Sequence, residues 1–156
     1  MNLGDYLIDL KGKDWDALLR PWAFPDPFSI WMVNRFGDLI VTYDDGSVHW
    51  FDVNRGRFER LADNMTAFEA RFETEAGYWL LPDLVDKCVE AGVLLKPHQC
   101  YFFKTPTILG GKFDVANIAP VSLTEQYAFL ADLHEQIKDI PDGAQVRLVV
   151  GQESSA

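Results

Sequence analysis

The chain predicts an α+β fold: a single domain with a mostly antiparallel sheet of five or six strands, covered by three main helices. Three observations lead there. Residues 31–61 hold short apolar runs at 32–36, 38–43, 48–53 and 57–61, separated by turn residues, which is the pattern of an antiparallel meander. Beyond residue 64 the apolar spacing lengthens to three and four, giving helices near 64–75, 82–91 and 122–138. Finally, 156 residues that are 48% hydrophobic, with eleven Phe, five Trp and five Tyr, suit one domain with a substantial core.

Taken in order, residues 1–30 form a helical, then Pro- and aromatic-rich lead-in. Leu3, Tyr6, Leu7 and Leu10 repeat at helical spacing over 2–10. Asp14 can cap a second short helix over 14–20, which Arg20 and Pro21 end. Pro21, Pro25 and Pro27 punctuate a linker whose Trp22, Phe24 and Phe28 are expected to lie against the sheet. The main domain spans 31–150. Asp44, Asp45, Gly46 and Ser47 make a hairpin turn, because Gly46 takes a positive φ without steric cost. Asn54, Arg55 and Gly56 repeat the device. Val48, Trp50 and Val53 are expected on a buried face, with His49 and Asp52 toward water, so the meander should keep one wet face.

Thr66 with Glu69 reads as a capping box for the first main helix; Met65, Phe68 and Phe72 form its apolar stripe, and Gly77 is expected to break it. Pro82 and Asp83 open the next helix, which buries Leu84, Val85, Cys88 and Val89 and stops at Gly92. Residues 99–104 read as a covered strand and 117–121 as a brief edge strand. Ser122 with Glu125 opens the longest helix, with Tyr127, Leu130, His134 and Ile137 on one face. Pro141 and Gly143 turn the chain into a closing strand through Val146, Leu148 and Val150, and 151–156 is a frayed tail.

The formal net charge is −10, which disfavours direct binding to nucleic acid or anionic membrane and suits a basic partner. Residues 61–90 carry seven acidic and two basic side chains, and 121–156 carry six and two. Plain solubility explains such charge equally simply. No basic segment leads into an apolar run at the start, and no stretch is long enough to span a bilayer, so the expected location is the cytoplasm. Cys88 and Cys100 suit reduced, buried thiols there.

Catalytic chemistry finds little support. His49, His98, His134, Cys88 and Cys100 show no CxxC, HxxxH or HExxH spacing, so no metal or cofactor is expected. Gly110, Gly111 and Lys112 fail as a phosphate loop, since Phe113 follows the lysine. His98 and Cys100 could share one strand face, but aromatics after Cys100 favour a loop entering a core over a nucleophile pair. No enzyme is expected.

The aromatic-rich strand at 99–104 is followed by Pro106, Leu109, Gly110 and Gly111, then Asn117-Ile118, then Leu133-His134-Glu135-Gln136 and the turn at Pro141 and Gly143. This succession resembles the C-terminal domain of the Tdi1-like immunity proteins of type VI secretion systems. The upstream run fits it through Gly37-Asp38, Asp45-Gly46, Val48, Trp50, Gly56 and the Phe68 helix, so the resemblance extends over roughly 30–150. It implies a protein that binds and neutralises a cognate secreted toxin, a basic DNA-degrading nuclease, by masking its active or DNA-binding surface. The alternative is a scaffold or regulatory module with a host partner. A monomer or weak homodimer is expected. Candidate toxin contacts are Asp44 and Asp45, then Glu69, Glu73 and Glu75, then Asp132, Glu135 and Asp139. Trp22, Trp31, Trp50, Tyr78 and Trp79 are candidate anchors, though core packing is the ordinary role of such side chains. Pro106, Leu109, Gly110, Gly111, Asn117, His134, Pro141 and Gly143 read as structural, since their chemistry is backbone shape and capping.

Overall fold

The computed structural model describes residues 2–140. The turn at Pro141 and Gly143, the strand expected through 146–150 and the tail at 151–156 lie outside the described residues.

The meander is present as β1 (Ser29–Val33), β2 (Leu39–Thr42), β3 (Val48–Asp52) and β4 (Arg57–Ala62), antiparallel in that order. It ends sooner than expected at its first corner. Residues 34–36 leave β1 because Asn34 turns the chain, its Oδ1 accepting the Phe36 and Asp38 amides at 2.9 and 3.0 Å. An Asn side chain that mimics a backbone turn competes well with continued pairing.

The expected wet face does not exist. Val33, Leu39, Val41, Phe51 and Val53 pack on one side against Ile8, Leu19, Tyr127, Leu130 and Leu133. Met32, Ile40, Val48 and Trp50 pack on the other against Phe68, Trp79 and Leu80. The sheet is thus the middle of three layers. The lead-in, with α1 (Trp15–Leu19), joins α4 (Leu123–Ile137) on one face, and α2 (Met65–Leu80) covers the other. Val48, Trp50 and Val53 divide between the faces, while His49 and Asp52 are half-buried. The lead-in aromatics do lie on the sheet: Trp22 and Phe24 each meet Phe51 edge-on at 4.9 Å. Such pairs add about 0.5–1.5 kcal/mol each beyond their buried area.

A single five- or six-stranded sheet is also corrected. β5 (Gln99–Phe103) and β6 (Ile118–Ser122) form a separate two-stranded sheet. Pro120 lies within β6 and brings no amide donor, which suits an edge strand and not one that extends a ladder. This sheet packs with α3 (Pro82–Glu90) around a third cluster of Phe36, Val85, Cys88, Tyr101, Phe103 and Ile118.

Helix ends show where local chemistry decided. Asp14 and Ser122 cap as expected, accepting the Ala17 and Glu125 amides at 3.1 and 3.0 Å. For α2 the cap is Asn64, not Thr66, with the Ala67 amide at 2.8 Å. Gly77 does not break α2, which runs on to Leu80; Leu81 in left-handed backbone and Pro82 end it. The lead-in helix over 2–10 shrinks to one 3₁₀ turn, Leu3–Asp5, after which Leu7 bridges to Asn34 beside β1.

The 34–38 corner bonds to every layer. Asn34 Nδ2 donates to the Trp79 carbonyl at 2.7 Å, at the end of α2. The Arg35 carbonyl accepts the Tyr101 amide at 2.8 Å, joining the small sheet. Gln126 Nε2 donates to the Phe36 carbonyl at 2.6 Å, and Tyr127 donates to Gly37 at 2.8 Å, both from α4. Gly37 itself has φ +90°, and a Cβ there would stand 2.4 Å from Gln126 Nε2. Gly12 has similar backbone, φ +73°, with open space around it. Gly37→Ala is therefore expected to lose about 3 kcal/mol or more, against about 1 kcal/mol for Gly12→Ala, which carries only the left-handed strain. Urea midpoints of the two variants check this.

Candidate functional site

A cleft of about 620 Å³ opens where three parts of the chain converge. The meander supplies Phe36, Asp38, Trp50, Asp52, Asn54 and Arg55; the end of α2 supplies Gly77, Tyr78, Trp79 and Leu81; the end of β5 and the segment after it supply Phe103, Thr107, Ile108 and Phe113. Its depth is buried and its mouth is not. Phe36, Trp79 and Phe103 are 1–2% exposed, whereas Tyr78, Ile108 and Phe113 are 57%, 43% and 61% exposed. Those last three are among eight large apolar side chains exposed on the described residues, and all three line this cleft.

The segment forming the third wall is clamped by Asn117. Its Oδ1 accepts the Thr105 amide at 2.8 Å, and its Nδ2 donates to the Thr105 and Lys112 carbonyls at 3.0 and 2.9 Å. Gly111 lets the backbone close, since a Cβ there would stand 1.8 Å from the Thr105 carbonyl oxygen. Gly111 also donates its amide to the Pro106 carbonyl at 3.0 Å, Gly110 takes left-handed backbone, and Leu109 turns onto the core. His134 lies on the other side of the meander. Its Nε2 bonds the Asn54 carbonyl at 3.0 Å, which fixes the proton on that nitrogen, and burial lowers its pKa.

At the cleft floor Asp38 is 6% exposed. Its Oδ2 accepts from Asn34 Nδ2 at 3.0 Å and its Oδ1 from the Val53 amide at 2.9 Å. Burial first, then the neighbouring Asp52 charge, push its pKa up to about 7. The Asn34 and Val53 bonds oppose this, and the Trp50 indole, close by without completing a hydrogen bond, pulls the same way. Asp52 is raised too, by burial, though it accepts the Asn54 and Arg55 amides at 3.0 and 3.1 Å and pairs with Arg55 Nε at 3.3 Å.

The sequence-derived contact residues fall in separate places. Asp44 and Asp45 are exposed at the β2–β3 turn, and the Ser47 hydroxyl and amide hold the Asp45 pKa down. Glu69 and Glu73 are exposed on α2, one helical turn apart, in the row that continues to Gly77 at the cleft. Glu75 departs from that pair: Arg71 grips it through two bonds of 2.9 and 3.0 Å. Asp132, Glu135 and Asp139 are exposed on and just after α4, with Gln136 on Asp132 and Lys138 on Glu135, each at 2.7 Å. Of the candidate anchors, Trp79 at 1% and Trp50 at 7% exposed are core side chains, with only cleft-facing surface to offer. Trp22 is half-buried under α4, Trp31 is 38% exposed, and Tyr78 stands at the mouth.

The nucleophile pair does not assemble. Cys100 is fully buried, and burial raises its thiol pKa far above the usual range, while His98 is exposed on left-handed backbone. Among the described residues no three His, Cys, Asp or Glu side chains come together in a way that could hold a metal ion. Among them, too, no helix is long and apolar enough to cross a membrane.

Residues 62–134 match the family described as T6SS immunity protein Tdi1, C-terminal. Over that segment the chain is similar to the C-terminal part of the Tdi1 immunity proteins. No curated protein matches it. The Tdi1-like segment contains α2, α3, the small sheet and most of α4, and so two of the three cleft walls.

Sequence reasoning missed the cleft and its floor. Asp38, flanked by apolar strand residues, was a signal that a buried acceptor was needed there; Gln126 on the apolar side of α4 was another. The raised Asp38 pKa gives a testable sign. An unfolded Asp titrates near about 4, so between about pH 4 and pH 7 the folded protein keeps a proton that the unfolded chain releases. Stability is expected to fall across that window, by up to about 4 kcal/mol, and to level off above it. Urea midpoints should be lower at pH 8 than at pH 5, and Asp38→Asn should shrink the difference.

Proposed function

We propose that this chain is an immunity protein that captures a cognate secreted toxin directly, and that the toxin is a basic, DNA-degrading nuclease. The match of residues 62–134 to the Tdi1-like immunity family carries the reading. Charge supports it: a nuclease needs positive surface to hold phosphate, and a protein of net charge −10 gains encounter rate and pairing against such a surface. Binding in one-to-one ratio, in the cytoplasm, would mask the active or DNA-binding surface of the toxin.

The contact face that fits best is the edge of α2 leading to the cleft. Glu69 and Glu73 have no ion-pair partner among the described residues, and Tyr78, Ile108 and Phe113 supply the exposed apolar surface that an interface centre needs. Asp44 and Asp45, and the α4 acids Asp132, Glu135 and Asp139, lie elsewhere and act through the long-range field. Glu135 has already spent part of its charge on Lys138.

Co-expression with candidate nuclease toxins, beginning with any encoded beside this gene, tests the proposal. Rescue of growth, with a one-to-one complex that weakens as salt rises, is the expected result. A Glu69→Lys, Glu73→Lys double variant should slow association about tenfold or more at low salt and converge on wild type at high salt. Absence of both rescue and complex would leave a scaffold with a host partner as the better reading.

A further inference from the structure

We infer that the cleft is a socket for one cationic side chain, a guanidinium above all; that the toxin carries it rests on the reading above. The walls are the first ground. Phe36, Trp50, Tyr78, Trp79, Phe103 and Phe113 line the space, and aromatic rings are the side chains beside which a cation is best accommodated. The fold already uses this chemistry nearby, where the Arg71 guanidinium stands 5.3 Å over the Trp79 ring.

The floor is the second ground. Of its two carboxylates, Asp52 is matched by Arg55. Asp38 is not: its two bonds come from the neutral Asn34 amide and the Val53 backbone, and among the described residues no Lys or Arg pairs with it. Once ionised, a buried carboxylate flanked by aromatic rings and lacking a counter-charge favours an incoming cation over a neutral or anionic group. The titrations below are therefore run at pH 8, above the Asp38 pKa of about 7. A guanidinium also suits the mouth, because its apolar stem can lie along Tyr78, Ile108 and Phe113 while its planar head stacks on rings within. The volume admits that side chain together with flanking residues of its own chain. The overall charge of −10 brings such a group to the mouth.

The protein alone provides the first test. It is titrated with N-acetyl-arginine amide and with N-acetyl-citrulline amide, which has nearly the same shape and no charge, while the tryptophan indole resonances are followed by NMR. The indoles of Trp50 and Trp79 should shift saturably with the arginine compound, at least tenfold more tightly than with citrulline. Phe113→Ala and Tyr78→Ala, both at exposed positions that spare the core, should each weaken the arginine response severalfold. Equal responses to the two compounds, or indoles that do not move, would overturn the socket.

The second test uses the toxin. Ile108→Lys places a cation at the mouth, and Leu94→Lys makes the same change of charge at a 59% exposed position that does not line the cleft. Ile108→Lys should lower toxin affinity at least tenfold and Leu94→Lys no more than twofold. Equal losses would overturn the toxin as the source of the cation. A wild-type protein that saturates with the arginine compound yet captures no toxin would support the socket and count against the immunity reading alone.

Discussion

The hydrogen bonds of residues 34–38 hold together layers that share few other polar links. Within five residues the chain accepts from β5 at Arg35, from α4 at Phe36 and Gly37, and from the start of the β3–β4 turn at Asp38, while Asn34 donates to the end of α2. All of these bonds but that of Arg35 are buried, where a donor or acceptor left unmatched costs about 1–3 kcal/mol. A network of this kind stabilises only when complete, and its completeness selects one arrangement of the layers. The three hydrophobic clusters supply the driving force; the corner decides how they meet.

That corner also makes the cleft. Because Asn34 holds the Trp79 carbonyl, the last turn of α2 is fixed beside β3, and Trp79 and Tyr78 stand over the meander end. Because the Tyr101 amide reaches Arg35, the small sheet is fixed on the far side, and the segment clamped by Asn117 closes the third wall. Asp38 lies at the junction, bonded but without a counter-charge among the described residues. In the proposed socket, folding and recognition would draw on the same residues, an incoming cation offsetting the cost of burying Asp38.

Much of the fold was legible in the chain. The meander, the Asp14 and Ser122 caps and the helices beginning at Pro82 and Ser122 follow from turn chemistry and period, which are local. What the sequence did not disclose was set at long range. Alternation within 48–53 could not say that both faces of the sheet are covered, since Phe51 and Trp50 are equally apolar and their partners come from the lead-in and α2. Gly77 carries a helix-breaking propensity of about 1 kcal/mol, and packing of Trp79 and Leu80 outweighs it. The charged contact candidates were readable only as composition; the cleft was not readable at all, because its walls come from segments some thirty residues apart. The family resemblance suggested the proposed role but not the surface.

The central claim is that the toxin engages the cleft and the α2 edge beside it. Hydrogen–deuterium exchange of the free protein and of its complex with the nuclease toxin so identified tests that most directly. The account expects slowed exchange at 77–82 and 105–113, with α1 and the outer surface of α4 unchanged. Protection confined to the lead-in and α4, with the cleft walls exchanging as in the free protein, would contradict it.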